Sequence, residues 1–251
     1  MARTFAIGDI HGDLAALDAL LARLPALGGE DTLIFLGDYV DRGPDSRGVI
    51  ERVRRLAADG PARVVALRGN HEDRWIACHA EPDVAFLLPP GNGCANMYLS
   101  FAGRPALGES GALDKDDFLR LLQVSAWLPA DVVAWMDGLP LWHEDEHALY
   151  VHAGVEGEGT DWKHPRDSAR TPLLWMREPD FYKGYQGKTL VFGHSPVVGL
   201  PTDHLGRLAR LFDDPGDVWT RGDLIGVDTG CGKGGFLSAV ELPAMKVYES
   251  R

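Results

Sequence analysis

Short apolar runs that end abruptly in polar residues are the strongest pattern along this chain. They occur at residues 5–7, 32–36, 64–67, 149–151 and 189–192, and Gly, His or Arg follows each of them. Apolar runs of this length, bounded by turn residues, are typical of buried strands. The pattern therefore predicts five strands whose ends lead into polar loops.

Helical patterns separate the first three of these runs. Five leucines between positions 14 and 24 fall on one face of a 3.6-residue period, and Asp13 before them is a candidate N-cap. A second helix begins at Asp45 or Ser46 and ends before Gly60. Alternating strands and helices predict an α/β fold with a largely parallel sheet, whose strand-end loops gather at one edge.

Residues from about 73 to 146 follow a different pattern, with helices predicted at 116–127 and 131–136. We interpret this region as a mainly helical insertion at the edge of the core, within a single domain that spans 1–251. From 225 to 249 the pattern indicates a strand, a glycine-rich turn and further strands.

Composition and charge exclude several classes of protein. The 251 residues carry a net charge of −12, which argues against binding to nucleic acid because affinity for phosphate backbones comes from clustered basic charge. No apolar stretch approaches the roughly 18 residues of a membrane helix, and the N-terminus does not open a signal peptide. Three cysteines without CxxC spacing suggest neither a disulfide framework nor a thiolate zinc site. We expect a cytoplasmic protein that binds neither nucleic acid nor membranes.

The polar strand ends hold oxygen and imidazole donors, which are the ligands that suit two divalent cations such as Mn²⁺, Fe²⁺ or Zn²⁺. The alternative is that these polar residues only form turns and cap helices, which would account for any one of the residues taken singly. The candidate residues are Asp9, His11, Asp38, Asp41, Asn70, His71, His152 and His194.

Five motifs containing these residues occur in the order seen in binuclear, calcineurin-like metallophosphoesterases. The chain resembles the phosphoprotein phosphatase branch, close to small bacterial and lambda phage serine/threonine phosphatases. The resemblance runs from about Ala6 to Leu242 and implies an α/β sandwich of two central β-sheets flanked by helices. The motifs are Gly8-Asp9-Ile10-His11-Gly12, Gly37-Asp38-Tyr39-Val40-Asp41-Arg42-Gly43, Arg68-Gly69-Asn70-His71-Glu72, Val151-His152-Ala153-Gly154 and Phe192-Gly193-His194-Ser195-Pro196.

The resemblance also implies a metal centre. One ion would be held by Asp9, His11 and Asp38, and Asp38 would bridge to a second ion held by Asn70, His152 and His194. The ions would be Mn²⁺ in vitro, with iron or zinc as alternatives. A water or hydroxide shared by both ions would attack phosphorus in line.

The remaining roles implied by the resemblance belong to four side chains. His71 would protonate the leaving-group oxygen, and Asp41 would hold that imidazole. Arg42 and Arg177 would bind the non-bridging phosphate oxygens, and Arg177 is identified by its spacing from Trp175.

Two enzymatic functions remain open at this stage. The leading hypothesis is a metal-dependent phosphatase acting on phosphoserine, phosphothreonine and also phosphotyrosine in proteins. The alternative is a symmetrical diadenosine tetraphosphate hydrolase, since the ending Val227-Asp228-Thr229-Gly230-Cys231 is similar to both groups. A base-stacking pair facing the metals would favour the hydrolase, and the candidates are Tyr98, Trp127, Trp135 and Trp175. The partner would be a phosphoprotein or a small phosphorylated substrate, and a non-catalytic phosphate-binding module is the third possibility.

The glycine-rich segment 230–235 superficially resembles a phosphate-binding loop. Gly234 follows Lys233 where the Walker pattern requires Ser or Thr, so we predict a tight turn between two strands. Cys231 in this turn has no neighbouring base in the sequence, and we expect no nucleophilic role for it.

Overall fold

The computed structural model describes residues 2–108, 111–202 and 217–251. These residues contain twelve strands and ten α-helices. The strands are β1 (Thr4–Ile7), β2 (Thr32–Phe35), β3 (Arg63–Ala66), β4 (Trp142–Glu144), β5 (Leu149–Val151), β6 (Gly157–Glu158), β7 (Asp161–Trp162), β8 (Leu190–Phe192), β9 (Trp219–Arg221), β10 (Leu224–Gly226), β11 (Ser238–Leu242) and β12 (Lys246–Glu249). The helices are α1 (Leu14–Arg23), α2 (Ser46–Asp59), α3 (Asn70–Ala80), α4 (Val84–Leu87), α5 (Cys94–Phe101), α6 (Lys115–Leu121), α7 (Val124–Trp127), α8 (Ala130–Asp137), α9 (Arg170–Trp175) and α10 (Pro179–Gly184).

Two five-stranded sheets form the centre of the fold, in the orders β12-β11-β1-β2-β3 and β4-β5-β8-β10-β9. The middle strands are parallel, with β1, β2 and β3 in one sheet and β5, β8 and β10 in the other. The outer strands β11, β12, β4 and β9 are antiparallel to their neighbours. The prediction of a largely parallel sheet is therefore wrong at the edges. Short turns join β11 to β12, β4 to β5 and β9 to β10, which allows only antiparallel pairing, and β11 also pairs antiparallel with β1 although the two strands are far apart in the sequence.

Side chains from alternate positions of each central strand enter different cores. Phe5 and Ile7 of β1 pack against the helices beside the first sheet, whereas Ala6 faces the second sheet. Likewise Leu149 and Val151 pack towards α9 and α10, whereas Tyr150 lies between the sheets. Both faces of these strands are buried, which is why the sequence shows them as continuous apolar runs. The layers are thus helices, sheet, sheet and helices.

The first two helices begin where their caps predict. Asp13 accepts a hydrogen bond from the backbone N–H of Ala16 at 2.9 Å, and Asp45 accepts one from Gly48 at 2.8 Å. Side-chain acceptors at these positions satisfy amide groups that have no partner within the helix.

The region predicted as a helical insertion, 73–146, contains most of α3, all of α4 to α8, and β4 at its end. The helix predicted at 116–127 is two helices, because the backbone of Gln123 (φ −98°, ψ 55°) leaves the helical range between α6 and α7. The predicted domain span, 1–251, includes Met1, 109–110 and 203–216, which lie outside the described residues. Within the described residues, none of the helices is both long and apolar enough to span a membrane.

Candidate active site

The ten residues predicted from the sequence lie together, where the two sheets meet. Asp9 and Asp38 follow β1 and β2 of the first sheet, whereas His152 and His194 follow β5 and β8 of the second. Asn70 and His71 are not in a loop, as the sequence analysis assumed, but form the first turn of α3. The remaining four, His11, Asp41, Arg42 and Arg177, lie in the connections that follow β1, β2 and α9.

Unusual backbone conformations are concentrated at these positions. Six non-glycine residues in the described part of the chain have positive φ, and five of them are predicted site residues. Positive φ is sterically disfavoured for residues with a Cβ, and such strain persists where the surrounding structure enforces it. The five residues are His11 (47°), Asp38 (54°), Asp41 (73°), Arg42 (65°) and His194 (62°).

The carboxylate of Asp38 lies between imidazoles on both sides. Its Oδ2 is 3.6 Å from His11 Nε2, and its Oδ1 is 3.5 Å from His152 Nε2. Oδ1 also accepts a hydrogen bond from the backbone N–H of His71 at 3.0 Å, which fixes the orientation of the carboxylate. One carboxylate thus presents an oxygen to each of two neighbouring groups of donors.

The second group of donors gathers around the amide of Asn70. Its Oδ1 is 2.9 Å from His152 Nε2 and 2.8 Å from His194 Nδ1. All three side chains are at least 95% buried. Donor atoms at this spacing match the distances between ligands bonded to one ion at about 2.0–2.2 Å.

Hydrogen bonds to the backbone orient two of the imidazoles. His11 Nδ1 lies 3.0 Å from the carbonyl oxygen of Val40, and His152 Nδ1 lies 2.9 Å from that of Leu36. A carbonyl oxygen accepts only, so both Nδ1 atoms carry the proton and both Nε2 atoms present a lone pair to the site. This arrangement around ligating histidines is common in metal proteins.

Two buried polar atoms near the site have no hydrogen-bond partner among the described residues, namely Nε2 of His194 and Oδ2 of Asp228. Two triads of side chains also bring ligand atoms within 4.8 Å of one another: His11, Asp38 and His71, and Asp38, His152 and His194. Nε2 of His152, which carries no proton because Nδ1 donates to Leu36, also lies 2.9 Å from Asn70 Oδ1, and two acceptor atoms this close fit a cation that binds both. The residues present therefore fit a centre for divalent metal ions.

Charge states favour the same interpretation. Burial lowers the pKa of His11, His152 and His194, that of His194 to about 2, so these imidazoles stay neutral as ligands must.

His71 differs from the other three imidazoles. Its Nδ1 lies 2.5 Å from Oδ2 of Asp41, and the indole Nε1 of Trp75 donates to both oxygens of that carboxylate at 2.9 and 3.0 Å. Burial lowers the pKa of His71, but the charges of Asp38 and Asp41 outweigh it, so the net shift is upwards. A protonated imidazole suits a general acid rather than a metal ligand.

Asp9 lies at the junction of the two sheets. The backbone N–H of His194 donates to both of its carboxylate oxygens, at 3.0 and 3.1 Å, and Asp9 Oδ2 is 3.8 Å from His11 Nε2. Burial, followed by the charges of Asp228 and Asp38, raises the pKa of Asp9 well above its ordinary value. A carboxylate crowded by like charges in this way needs a cation to balance it.

A cavity of about 300 Å³ opens above these residues. Among the described residues that line it are four cationic side chains, those of Arg42, Arg74, Arg177 and Lys233. Arg42 contacts Nε2 of His11 and lies 3.2 Å from Nε2 of His71. Positive charge collected in one cleft of a protein with net charge −12 favours anionic substrates.

Comparison with known proteins decides the family. The profile of a family described as "Calcineurin-like phosphoesterase" matches residues 2–235. The chain belongs to the calcineurin-like phosphoesterase family. The predicted α/β sandwich of two sheets flanked by helices is thereby confirmed, as is the assignment to the metallophosphoesterases.

Individual relatives of this calcineurin-like phosphoesterase carry a common name. A protein of Ralstonia nicotianae named "Bis(5'-nucleosyl)-tetraphosphatase, symmetrical" is 34% identical, over 94% of this chain and 88% of its own length. A protein of Dechloromonas aromatica with the same name is 30% identical over 71% of this chain, and the chain covers only 52% of that relative. A solved structure described as a putative diadenosine tetraphosphatase superposes with a TM-score of 0.65 at 22% identity, covering 98% of this chain and 92% of that one.

Two residues at the site of this phosphoesterase had no role assigned from the sequence. Glu72 is fully buried and accepts backbone hydrogen bonds from Asp38 at 2.9 Å, Tyr39 at 2.8 Å and Gly69 at 3.0 Å, so it joins two of the motif loops. Burial, followed by the charge of Asp38, raises the pKa of Glu72 to about 8. The sequence signal for Glu72 is its position as the last residue of the motif that begins at Arg68.

Lys233 is the other residue, which the sequence analysis considered only as part of a phosphate-binding loop and then assigned to a turn. The predicted tight turn exists between β10 and β11, but the lysine at its tip reaches the cavity and its Nζ lies 3.8 Å from Oδ2 of Asp228. Its neighbour Cys231 is a buried free thiol whose pKa burial raises. Turn composition alone does not reveal what a long side chain on the turn can reach.

The four aromatic candidates for base stacking differ in where they lie, in the core or at the cavity. Tyr98 and Trp127 contact each other edge to face within the core, and Trp135 packs against Tyr39. Trp175 alone of the four lines the catalytic cavity, and it is 42% exposed. It also meets His194 edge to face, with ring centroids 5.9 Å apart. The structure thus places one exposed indole at the rim of the site.

Proposed function

We propose that this calcineurin-like phosphoesterase hydrolyses dinucleoside tetraphosphates symmetrically. Water is added across the central phosphoanhydride bond, and two nucleoside diphosphates leave. The observation that carries the proposal is that Arg42, Arg177 and Lys233 line one small cavity, which exceeds what a single phosphate group requires; Arg74, which also lines it, is ion-paired with Asp83. The shared name of the relatives favours a polyphosphate over other substrates with several negative charges.

Two divalent cations complete the site in this proposal. Asp9, His11 and Asp38 hold one of them, and the second is held by Asp38 together with Asn70, His152 and His194. Bound cations of this kind polarise phosphate oxygens and lower the pKa of water. Manganese is the cation to supply in vitro, with iron and zinc as alternatives.

The side chains of the protein bind the substrate and control a proton. Arg42 and Arg177 bind non-bridging phosphate oxygens, and the N–H groups of Arg177 are held near Ser195 Oγ (3.5 Å) and the carbonyl oxygen of His194 (3.3 Å). His71, held by Asp41, donates a proton to the oxygen that leaves. The positions and hydrogen bonds of these side chains support the roles proposed for them.

The protein phosphatase hypothesis competes with this proposal at the same site. A phosphoserine or phosphothreonine ester would use the same donors and arginines, and its poorer leaving group would depend more strongly on His71. The exposed Trp175 favours the dinucleotide, because an indole at the rim offers a surface for a base.

Turnover measurements separate the two functions. Wild-type enzyme loaded with Mn²⁺ is given diadenosine tetraphosphate and, separately, a set of phosphoserine and phosphothreonine peptides. We expect kcat/KM for the dinucleotide to exceed that for the peptides by about 10-fold or more. Chromatography of the products should show ADP alone.

One control and two contrary outcomes make this result interpretable. Asp38→Asn is the catalytic blank, because it removes the carboxylate that both groups of donors share. Faster peptide turnover would overturn the proposal in favour of the phosphatase. Formation of ATP and AMP would overturn symmetrical cleavage.

A further inference from the structure

A second and larger cavity lies beside the catalytic one. Its volume is about 600 Å³, within the range of sites that bury small ligands. Its described lining is mainly apolar and comes from the end of α4 and the segment after it, the start of α5, residues 107–108 and 111–113, and α6. The residues used below are Leu87, Leu88, Pro90, Leu107, Leu113 and Phe118.

Two cationic residues belong to both cavities. Arg42 and Lys233 line the catalytic cavity and also the larger one, so they stand at the boundary between them. A substrate that extends from the metal centre into the larger cavity must pass these two side chains. A chain of phosphates suits this passage, because each phosphate brings negative charge to the cations.

Hydrogen bonds build Arg42 into the wall of the larger cavity. Its backbone N–H donates to the carbonyl oxygen of Gly93 at 3.2 Å, and the amide of Asn96 donates to its carbonyl oxygen at 2.6 Å. Oδ1 of the same Asn96 accepts from the backbone N–H of Leu107 at 2.8 Å. The phosphate-binding arginine and the apolar lining are therefore parts of one hydrogen-bonded structure.

Two of the lining side chains leave apolar surface exposed. Phe118 is 39% exposed and Leu88 is 38% exposed. Exposed apolar surface within a cavity marks a place where a ligand binds, and an aromatic ring offers a stacking surface for a planar base. The cavity is also larger than one apolar amino-acid side chain fills, which favours a nucleoside over the flanking residue of a phosphopeptide.

We infer that the larger cavity binds the nucleoside of the nucleotide that leaves, with its phosphates passing between Arg42 and Lys233. The inference rests on the proposed function, because it assigns one end of a dinucleoside polyphosphate. Lys233 binds the phosphates of that half, and Phe118 and Leu88 contact its base. The cavity thereby selects substrates that carry a nucleoside beyond the attacked phosphorus.

Equilibrium binding tests the inference separately from turnover. The Mn²⁺-loaded enzyme is titrated in a calorimeter with α,β-methylene-ADP and with methylenediphosphonate, which share the same P–C–P group and differ by the nucleoside. We expect the wild type to prefer the nucleotide, and Phe118→Ala and Leu88→Ala to reduce that preference. The expected reduction for Phe118→Ala is about 5- to 150-fold, as for loss of one base-stacking contact.

The control lies on the same helix. Leu119→Ala removes a side chain that is 47% exposed and is not among the residues that line the cavity. It should leave both affinities unchanged. Lys233→Met should weaken both ligands to a similar extent, and Lys233→Arg should restore them.

Three results would overturn the inference. One is equal affinity of the wild type for the two ligands, whatever substrate the enzyme hydrolyses. Another is a nucleotide preference that survives both Phe118→Ala and Leu88→Ala, which would place the base elsewhere. The third is a loss of nucleotide preference in Lys233→Met with diphosphonate binding intact. A nucleotide preference that depends on Phe118, in an enzyme that fails to cleave diadenosine tetraphosphate, would support the cavity and contradict only the proposed function.

Discussion

His71 and Asp41 form a buried pair in which Nδ1 of the imidazole lies 2.5 Å from a carboxylate oxygen. Trp75 donates to the same carboxylate from the next turn of α3. The pair is closed off from solvent, since Asp41 is fully buried and His71 is 4% exposed. The imidazole is therefore fixed with its Nδ1 occupied and its Nε2 directed into the cavity.

His71→Asn should slow the hydrolysis of esters with poor leaving groups by about 10²- to 10⁴-fold, because those leaving groups depend on a proton donor. Activated aryl phosphates should lose much less, since their leaving groups depart without protonation. The measurement is kcat for an alkyl and an aryl phosphate with each enzyme. Equal losses on both esters would count against an acid role.

Asp41→Asn should shift the pH dependence of alkyl phosphate hydrolysis. Asp41 raises the pKa of His71, so removing its charge lowers that pKa, and the proton needed for catalysis is lost at a lower pH. The descending alkaline limb of the rate profile should therefore move to lower pH. Asp45→Asn is the matched control, because Asn caps a helix as well as Asp does and Asp45 makes no hydrogen bond to His71. An unchanged limb in Asp41→Asn would contradict the pairing.

Asp38→Asn should lower the bound metal content below half that of the wild type. An amide brings no negative charge to the point between the two groups of donors, where both ions need it. Elemental analysis after gel filtration measures the content. Asp18→Asn, which changes a surface carboxylate paired with Arg52, should retain the wild-type amount. Full metal content in Asp38→Asn would contradict the bridging role proposed for Asp38.

Gly93→Ala should impair phosphate binding through Arg42. A Cβ at position 93 would lie 2.2 Å from the backbone nitrogen of Arg42, and φ at Gly93 is +76°, which disfavours any side chain. The Arg42 segment must therefore move, and a misplacement of about 1 Å can cost roughly 10²-fold in rate. The measurement is kcat/KM for diadenosine tetraphosphate. Gly29→Ala is the control, because no atom of the described residues lies within 4 Å of a Cβ at that position, and equal activity of both variants would refute the argument.

Asp31 gives a pH-dependent contribution to stability far from the site. Arg3 donates to its carboxylate from Nε at 3.0 Å and from Nη2 at 2.6 Å, and this pairing lowers the pKa of Asp31 to about 2. A lowered pKa in the folded state stabilises the fold above the ordinary Asp value, and this stabilisation disappears as the pH falls from about 4 to about 2. Asp31→Asn should therefore lower the Tm by a few degrees at pH 7. The difference from the wild type should shrink towards pH 2.5. A difference independent of pH would contradict the ion pair.

The sequence predicted most of the site because its residues follow buried strands. Each of Asp9, Asp38 and His152 comes within two or three residues of an apolar run, and parallel central strands bring such positions together. The antiparallel edges were missed because strand direction at an edge depends on the length of the connection, which periodicity does not report.

Contacts between distant segments could not be predicted in the same way. Trp75 shows the apolar spacing of an ordinary core residue, and only the fold brings its N–H to Asp41, 34 positions away. The glycines around Lys233 are sufficient to predict a tight turn. They do not show that the lysine side chain reaches two cavities, because that depends on where β10 ends and β11 begins. Long-range geometry of this kind has no local signature in the sequence.

The two sheets contribute donors to one ion of the proposed centre, Asp38 and Asn70 from one side and His152 and His194 from the other. An ion held in this way links the two halves of the sandwich, and ligands that bind only the native state raise its melting temperature. The melting temperature of the enzyme then depends on how much metal the enzyme has bound. The metal-free protein would be inactive, and it would also unfold and be degraded more easily than the metal-bound protein.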